Sequence, residues 1–359
     1  MQLWPAVLAC SGAKFGIIPP DPLMKRIAQV RFRIPVSAVL VAVLLCLSPA
    51  ALISASSATL GKPAVWSDPG DIRSKDLFYG PGGQEHRPVL PVKFVKEDSS
   101  GHNSKFDVED SNGTKWKAKL GIEAQPEVVA TRLLWAIGYF TNENHFVSDL
   151  TVKDLPEHLH RGEGHVIAPN HVEKVRLQRH LKGKNSGQWN WRHNPLVGSR
   201  EYNGLRVMMA LIADWDLKDE NNAIYDEKDG TQRYLVTDVG TAFGASGDRW
   251  TEAQSKNNLR AYQSSKFITK LTPKYVNFSF PRVPPFLYVF DLPHFVHQVS
   301  LRWVGNQVPR EDAKWVGSLL AQLSDKQIED AFRAGGYSPE QVEAYRKAVQ
   351  KRIAELNRL

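Results

Sequence analysis

The sequence contains very little cysteine. Among 359 residues there are two, Cys10 and Cys46, and both lie in the first 60 residues, so a domain formed by the remainder has neither disulfides nor thiolate metal sites. The sequence also lacks a His-Glu-x-x-His zinc motif, a Gly-x-Ser-x-Gly turn of serine hydrolases and a basic stripe with interleaved aromatics. We therefore expect a domain stabilised by its hydrophobic core, and we expect no nucleic-acid partner.

Residues 1–58 are predicted to be a signal peptide or a signal anchor. Four basic residues between positions 25 and 33 precede an uncharged apolar run from 34 to 53, and small residues follow up to Ala58. About 20 apolar residues can also span a bilayer without cleavage. Either interpretation predicts export of the remainder to a periplasmic, cell-surface or secreted location, with membrane contact only through an uncleaved anchor.

The positive charge is mild once this segment is set aside. The whole chain has 46 Lys and Arg against 38 Asp and Glu, a formal net charge of +8. Residues 59–359 retain 41 basic and 37 acidic residues, a net charge of +4 that is spread along the sequence. This distribution is not typical of a nucleic-acid-binding protein.

Strand patterns dominate the first part of the predicted domain. Residues 59–88 are rich in Gly, Pro and Ser, and we interpret them as a linker or an irregular arm before a domain at 89–359. Alternating patterns at 92–95, 105–110 and 115–120, with an Asn-Gly turn at 112–113, predict three antiparallel strands. Residues 142–192 give weaker signals, with a further strand predicted at 174–178.

Helical patterns dominate the later part. A helix is predicted between Pro126 and Gly138, and another from Arg200 to Ala213. Short strands at 223–225 and 233–237 follow. Ser324 and Ser338 each precede a Gln three residues later, which predicts two capped C-terminal helices.

Five side chains occur in an order that suits phosphoryl transfer. That reaction needs a cation on the phosphates, metal ions with oxygen ligands and a carboxylate near the attacking hydroxyl. Lys119 closes a predicted strand and Glu127 opens the next helix, so they can meet across the turn. Asp216 and Asn221 share one polar loop, and Asp238 begins an Asp-x-Gly turn. Each alone fits an ion pair, a cap or a turn, whereas their joint order favours a site.

This ordered set resembles the protein-kinase-like superfamily, especially its atypical branch of HipA-type, CotH-like and phosphoinositide-kinase-like enzymes. The resemblance spans about residues 92–240 by motif, and the C-terminal part only by general architecture. It implies an α+β, two-lobed fold with a small antiparallel β N-lobe at about 89–180 and a mainly helical C-lobe at about 181–359.

The resemblance also implies roles and cofactors. Asp216 would be the catalytic residue that positions the acceptor hydroxyl, while Asn221 and Asp238 would hold metal, either Mg²⁺ or Mn²⁺. Lys119, oriented by Glu127, would hold the phosphates of ATP. The acceptor is an unknown hydroxyl group on a protein or a small molecule.

The sequence departs from the family pattern at several positions. The usual glycine-rich loop is replaced by residues 99–104, in which Gly101 and Ser104 are the candidate phosphate-binding residues. Lys218 occupies the place of the histidine in HipA-type loops. Lys117 lies on the same strand face as Lys119 and is an alternative phosphate lysine. Two further carboxylates in the loop, Asp214 and Asp219, are alternatives to Asp216.

Two other functions remain open from the sequence. Because free ATP is scarce outside the cytoplasm, the same fold could serve as a non-catalytic binding or scaffold module. A carbohydrate hydrolase with two carboxylates is a third possibility, and it requires that Lys119 have no partner. The aromatic run Trp189 to His193 could line a sugar or substrate surface or cover a core edge.

Overall fold

The computed structural model of the chain describes residues 61–99, 103–245, 247–248, 256–279, 281–282 and 301–359. The predicted export segment and Gly101 lie outside these residues. The described residues belong to one compact unit, Gly61–Leu359. They form sheets and helices in a mixed α+β arrangement, which confirms the predicted class.

The bounds of the regular elements are as follows. The described strands are β1 (Lys62–Ala64), β2 (Val92–Glu97), β3 (Lys105–Glu109), β4 (Lys115–Leu120), β5 (Asn144–Lys153), β6 (Val166–Ala168), β7 (His171–Arg179), β8 (Lys184–Gly187), β9 (Asn222–Asp226), β10 (Thr231–Val236), β11 (Gly247–Asp248), β12 (Ile268–Leu271), β13 (Tyr275–Phe278), β14 (Pro281–Arg282) and β15 (Val308–Pro309). The described helices are α1 (Ala124–Ala136), α2 (Arg200–Ile212), α3 (Leu259–Ser264), α4 (Arg310–Leu320), α5 (Asp325–Ala334) and α6 (Pro339–Leu356).

The largest sheet has six strands in the order β4-β3-β2-β5-β7-β6, and β4 also pairs with β7. This extra pairing closes five of the strands into a ring. Alternate side chains of β4 point inward, so Trp116 and Ala118 are buried with Phe106 and Val108 of β3. The three predicted antiparallel strands are confirmed as β2, β3 and β4, with Gly113 at a φ of 76° in the turn.

Strand β5 was not predicted. Its sequence lies in the stretch of weak signals and does not alternate cleanly between apolar and polar residues. The strand forms because it pairs with β7 over most of its length. The strand predicted at 174–178 lies inside the longer β7. Pairing between the two strands therefore makes β7 longer than predicted and accounts for β5, which the sequence pattern does not predict.

A second sheet has the order β1-β10-β9-β8, and β1 runs parallel to β10. Residues just after β1 enter the main core, where Val65, Ile72 and Leu77 are buried. Gln327 of α5 donates from its amide nitrogen to the carbonyls of Ile72 and Lys75, each at 2.8 Å. The Gly-, Pro- and Ser-rich arm is thus fixed to the rest of the domain.

Helix α2 lies within the larger hydrophobic core. It begins after the cap Ser199, which accepts the Tyr202 N–H, and ends at Ala213 with a φ of 57°. Helices α5 and α6 begin with complete capping boxes at Ser324 and Ser338, as the sequence predicts. Within the described residues, none of the helices combines the length and apolar character needed to cross a bilayer.

Candidate functional site

Lys119 is at the centre of a buried group of charges. It stands near the end of β4 and is 2% exposed. Its Nζ lies 2.7 Å from Glu123 Oε2, 2.9 Å from Asp238 Oδ1 and 3.3 Å from Glu127 Oε2. Three of the predicted site residues, Lys119, Glu127 and Asp238, are therefore in direct contact.

The elements explain why these side chains meet. The chain turns at Gly121, whose φ is 99°, and α1 begins three residues later. This turn returns Glu123 and Glu127 toward the last residues of β4. The hairpin of β9 and β10 brings Asp238 to the same point, because Asp238 follows β10 by two residues.

Arg176 completes the ion-pair network around Glu127. It lies on β7 directly opposite Lys119, and its Nη2 is 3.3 Å from Glu127 Oε1. Glu127 is fully buried, so two cations face a carboxylate that has no access to water. Sequence reasoning missed Arg176 because nothing in a single sequence shows the β4–β7 pairing.

The network changes the acidities of its members. Burial alone would lower the pKa of Lys119, but the carboxylates of Glu127, Asp238 and Glu123 raise it well above its ordinary value. Burial would raise the pKa of Asp238, but the neighbouring Lys119 ammonium lowers it below its ordinary value. Both groups are thus held in their charged forms at neutral pH.

The loop after α2 carries Asp216 and Asn221. The Asp216 carboxylate pairs with Lys218, whose Nζ is 3.0 Å from Oδ1. Asn221 Nδ2 donates to the backbone carbonyl of Asp216 at 2.9 Å. The Asn221 carbonyl in turn accepts the Thr237 N–H at 2.9 Å. Because Asp238 comes next in the chain, these contacts link the loop to the charged group around Lys119.

Asp214 has a structural position within this loop. Its carboxyl group is completely buried, and Oδ1 accepts hydrogen bonds from the Thr241 hydroxyl and from the Asp216 N–H. Burial raises the pKa of Asp214 to about 8, although the bond from Thr241 opposes the shift. Asp214 therefore shapes the loop, whereas the partly exposed Asp216 is accessible to a ligand.

Of the two predicted phosphate-binding residues, Gly101 lies outside the described residues and Ser104 is described. The Ser104 side chain lies beside Gly162, and its carbonyl accepts the Leu120 N–H at 3.0 Å. The described residue of that loop that reaches the site is Asn103, which donates to Glu123 Oε2 at 2.9 Å. Ser104 therefore lies beside the end of β4 through its backbone, and its role in phosphate binding stays a prediction.

Lys117 has a different environment from Lys119. Its Nζ lies 2.6 Å from Asp98 Oδ2, and its side chain is 33% exposed, compared with 3% for Lys119. Lys119, one step further along the same face, is the lysine that meets the site carboxylates.

Glu123 is a site residue that the sequence did not predict. Besides Lys119 and Asn103 it binds Lys256, whose Nζ is 2.8 Å from Oε1. The next residue, Asn257, donates to the carbonyl of Ile122 at 3.1 Å. Glu123 thus connects β4, the loop before β3 and the chain beyond the Asp-x-Gly turn. The sequence feature that could have indicated this contact is the position of Glu123 four residues after Lys119.

Oxygen atoms near the Asp-x-Gly turn suit a divalent cation. Asp238 is partly exposed and uses Oδ1 for Lys119 and for the Gly240 N–H, while Asn221 uses its amide nitrogen. This leaves Asp238 Oδ2 and Asn221 Oδ1 without a hydrogen bond to the described residues. Mg²⁺ is commonly held by one or two protein oxygens together with substrate phosphates. Among the described residues, no three His, Cys, Asp or Glu side chains form a metal cluster by themselves.

Comparisons with known proteins give limited similarity. No protein-family model matches the chain, and no curated protein sequence matches it. Among solved structures, it is similar to the proinflammatory kinase CtkA of Helicobacter pylori, with 10% identity, a TM-score of 0.44, and coverage of 76% of this chain and 97% of that one. It is also similar to an ADP/Mg²⁺-phosphoaspartate complex of the Rio2 kinase from Chaetomium thermophilum, with 10% identity, a TM-score of 0.30, and coverage of 74% and 72%. These values describe a partial similarity of chain path.

Proposed function

We propose that the chain is an exported kinase-like phosphotransferase that moves the γ-phosphoryl group of ATP to a hydroxyl acceptor. The observation that carries the proposal is the contact of Lys119 with both Glu127 and Asp238, next to a loop that presents Asp216 and Asn221. A lysine, a carboxylate that orients it, an oxygen ligand for metal and a second carboxylate are the groups that phosphoryl transfer requires.

Each residue has a distinct task in this proposal. Lys119 holds phosphate oxygens, and Glu127 keeps its ammonium in place. Asp238 and Asn221 hold a divalent cation through their remaining oxygens. Asp216 orients the acceptor hydroxyl and takes its proton. Bound ATP would supply the phosphoryl group, and Mg²⁺ or Mn²⁺ would offset the charge of its phosphates.

Nucleotide binding in the presence of metal is the first test. We expect ATP with Mg²⁺ or Mn²⁺ to raise the melting temperature of the purified chain, and we expect Asp238→Ala to abolish this rise. Asp149→Ala is the control, because the Asp149 side chain is 56% exposed and, among the residues that the structure describes, pairs with His171 on the main sheet, away from the proposed site. A melting temperature unchanged by every combination of metal and nucleotide would contradict the phosphotransferase and favour a binding or scaffold module.

Phosphoryl transfer is the second test. With labelled ATP and a suitable hydroxyl acceptor, Asp216→Ala should reduce the rate at least a hundredfold, because a general base typically contributes about 10²–10⁴. Nucleotide binding should survive this change. Undiminished transfer in Asp216→Ala would contradict the assignment of the base.

The environment of Lys119 argues against the carbohydrate-hydrolase alternative. That interpretation requires a lysine without a partner, and Lys119 contacts three carboxylates. Those carboxylates are neutralised by buried cations, so they are not arranged as a free acid and a free base.

A further inference from the structure

An open cavity of about 400 Å³ lies beside the loop that carries Asp216. One wall is formed by Leu217 to Glu220, and the other by residues near Trp191 and Trp303. Lys218 belongs to this wall, and its Nζ is 3.0 Å from Asp216 Oδ1. Among the described lining residues, Lys218 is thus the one that contacts the carboxylate that we assign as the base. Its size falls in the range of about 300–1,000 Å³ that small-molecule sites occupy.

The charges that line the cavity balance one another. Two cations, Arg192 and Lys218, face two carboxylates, Asp219 and Glu220. Lys218 is paired with Asp216, and Asp219 accepts hydrogen bonds from Asn190 and from the Trp191 N–H. Because the lining cations and carboxylates are equal in number, the lining has no net charge that would select an anionic or a cationic acceptor. This balance favours an uncharged acceptor.

The remaining lining is aromatic and rich in hydrogen-bonding groups. Arg192 lies over the Trp303 ring at 5.5 Å, and Trp191 is 3% exposed. The Trp191 ring packs on Trp189 in the main core, at 4.7 Å between ring centroids, so it supports the cavity wall from the core side. Aromatic rings beside amide, carboxylate and guanidinium groups suit a ligand with both C–H surfaces and hydroxyls.

We propose that this cavity binds the acceptor, and that the acceptor is a small neutral carbohydrate. The assignment of the transfer step rests on the proposed function. In that step a sugar hydroxyl oxygen forms a bond to the γ-phosphorus of ATP, the bond to the ADP oxygen breaks, and Asp216 receives the hydroxyl proton. The carbohydrate-binding part of the proposal stands independently of that step.

Direct titration tests the cavity. N-acetylglucosamine and maltose serve as neutral probes, glucuronate as an anionic probe and glucosamine as a cationic probe, each followed by ligand-observed NMR with the purified chain. We expect a neutral probe to bind more tightly than either charged one. Absence of binding by both neutral probes, or tighter binding of a charged probe, would overturn the proposal.

Variants locate the binding. Arg192→Ala and Glu220→Gln alter exposed side chains of the lining. Each change should raise the dissociation constant of the neutral probe at least fivefold. Arg200→Ala is the matched control, because Arg200 lies over Trp315 at 4.7 Å as Arg192 lies over Trp303, but outside the cavity. Trp303→Ala should cause a larger loss. Equal affinity in the two lining variants and the control would reject this location.

The nucleotide test separates the two proposals. An ATP-dependent thermal shift that requires Asp238, together with no neutral-sugar binding, would reject the carbohydrate site and leave the phosphotransferase in place. Sugar binding without any nucleotide shift would have the opposite meaning, namely a carbohydrate-binding protein that transfers no phosphoryl group.

Discussion

At the scale of single residues, Glu127 both contributes to stability and positions Lys119. It is fully buried between Lys119 and Arg176, with an oxygen 3.3 Å from each cation. Charges removed from water are tolerated only when they are paired and hydrogen-bonded. The stability of the domain and the position of Lys119 therefore depend on the same carboxylate.

Glu127→Gln should lower the free energy of unfolding by about 3–5 kcal/mol, because it leaves two buried cations with one fewer negative charge. Urea denaturation measures the change. Glu311→Gln is the matched control, because Glu311 also lies in the first turn of a helix but is 80% exposed beside Lys314, so about 1 kcal/mol or less is expected. Equal losses in the two variants would show that Glu127 is not a buried ionic partner.

Asp214 should make stability depend on pH. Its pKa of about 8 in the folded chain lies above the ordinary value of 3.8, so the folded state keeps a proton that the unfolded state releases above about pH 4. The wild type should therefore lose stability relative to Asp214→Asn as pH rises from about 4 to 8, by at most about 1.4 kcal/mol per pH unit. Parallel stability profiles for wild type and variant would indicate an ionised Asp214 throughout.

At the scale of elements, the Asp-x-Gly turn packs tightly on the start of α1. A Cβ on Gly240 would lie 2.8 Å from Glu123 Cβ and 3.2 Å from Glu127 Oε2. The glycine is thus required by close approach and not by its backbone angles. The turn and the helix therefore cannot separate or rotate without moving Glu123 and Glu127, two of the three carboxylates that contact Lys119.

Gly240→Ala should weaken ATP binding and destabilise the domain by about 1–3 kcal/mol, the usual cost of overpacking. Thermal unfolding with and without nucleotide separates the two effects. Gly164→Ala is the control, because a Cβ there meets nothing within 4 Å, so its melting temperature should stay the same or rise slightly. A Gly240→Ala variant that matches this control in both measurements would contradict the close packing.

The elements also show what a sequence can predict. The strand β4, the helix α1 and the hairpin of β9 and β10 have strong local patterns, so Lys119, Glu127 and Asp238 could be assigned to one site. Arg176 and Lys256 reach that site only through non-local contacts, one across a sheet and one across a long connection. Local periodicity has no information about such pairings, and the same reason explains why β5 was missed.

At the scale of the whole molecule, the arm before the main sheet is part of the core. Val65, Ile72 and Leu77 are buried, and β1 extends the sheet of β8, β9 and β10. Gly-, Pro- and Ser-rich composition predicts irregular backbone, but it does not reveal that a few apolar residues within the segment are anchored.

Deletion of residues 61–88 should remove this anchoring. Each large apolar side chain contributes about 1.5–3 kcal/mol on burial, so the loss is comparable to the total stability of an ordinary domain. A chain that begins at residue 89 should melt at a much lower temperature, or without a cooperative transition, than a chain that begins at residue 61. Circular dichroism melts of the two chains, compared side by side, test this, and superimposable curves would show that the arm is dispensable.

The ion-pair network around Lys119 has one last consequence. Glu123, Glu127 and Asp238 are matched by Lys119, Arg176 and Lys256, so the network is electroneutral. A polyphosphate that entered alone would disturb this neutrality where solvent screening is weak. A divalent cation that enters with the polyphosphate offsets this added negative charge. We therefore expect the two to bind together, and we expect each to bind only weakly in the absence of the other.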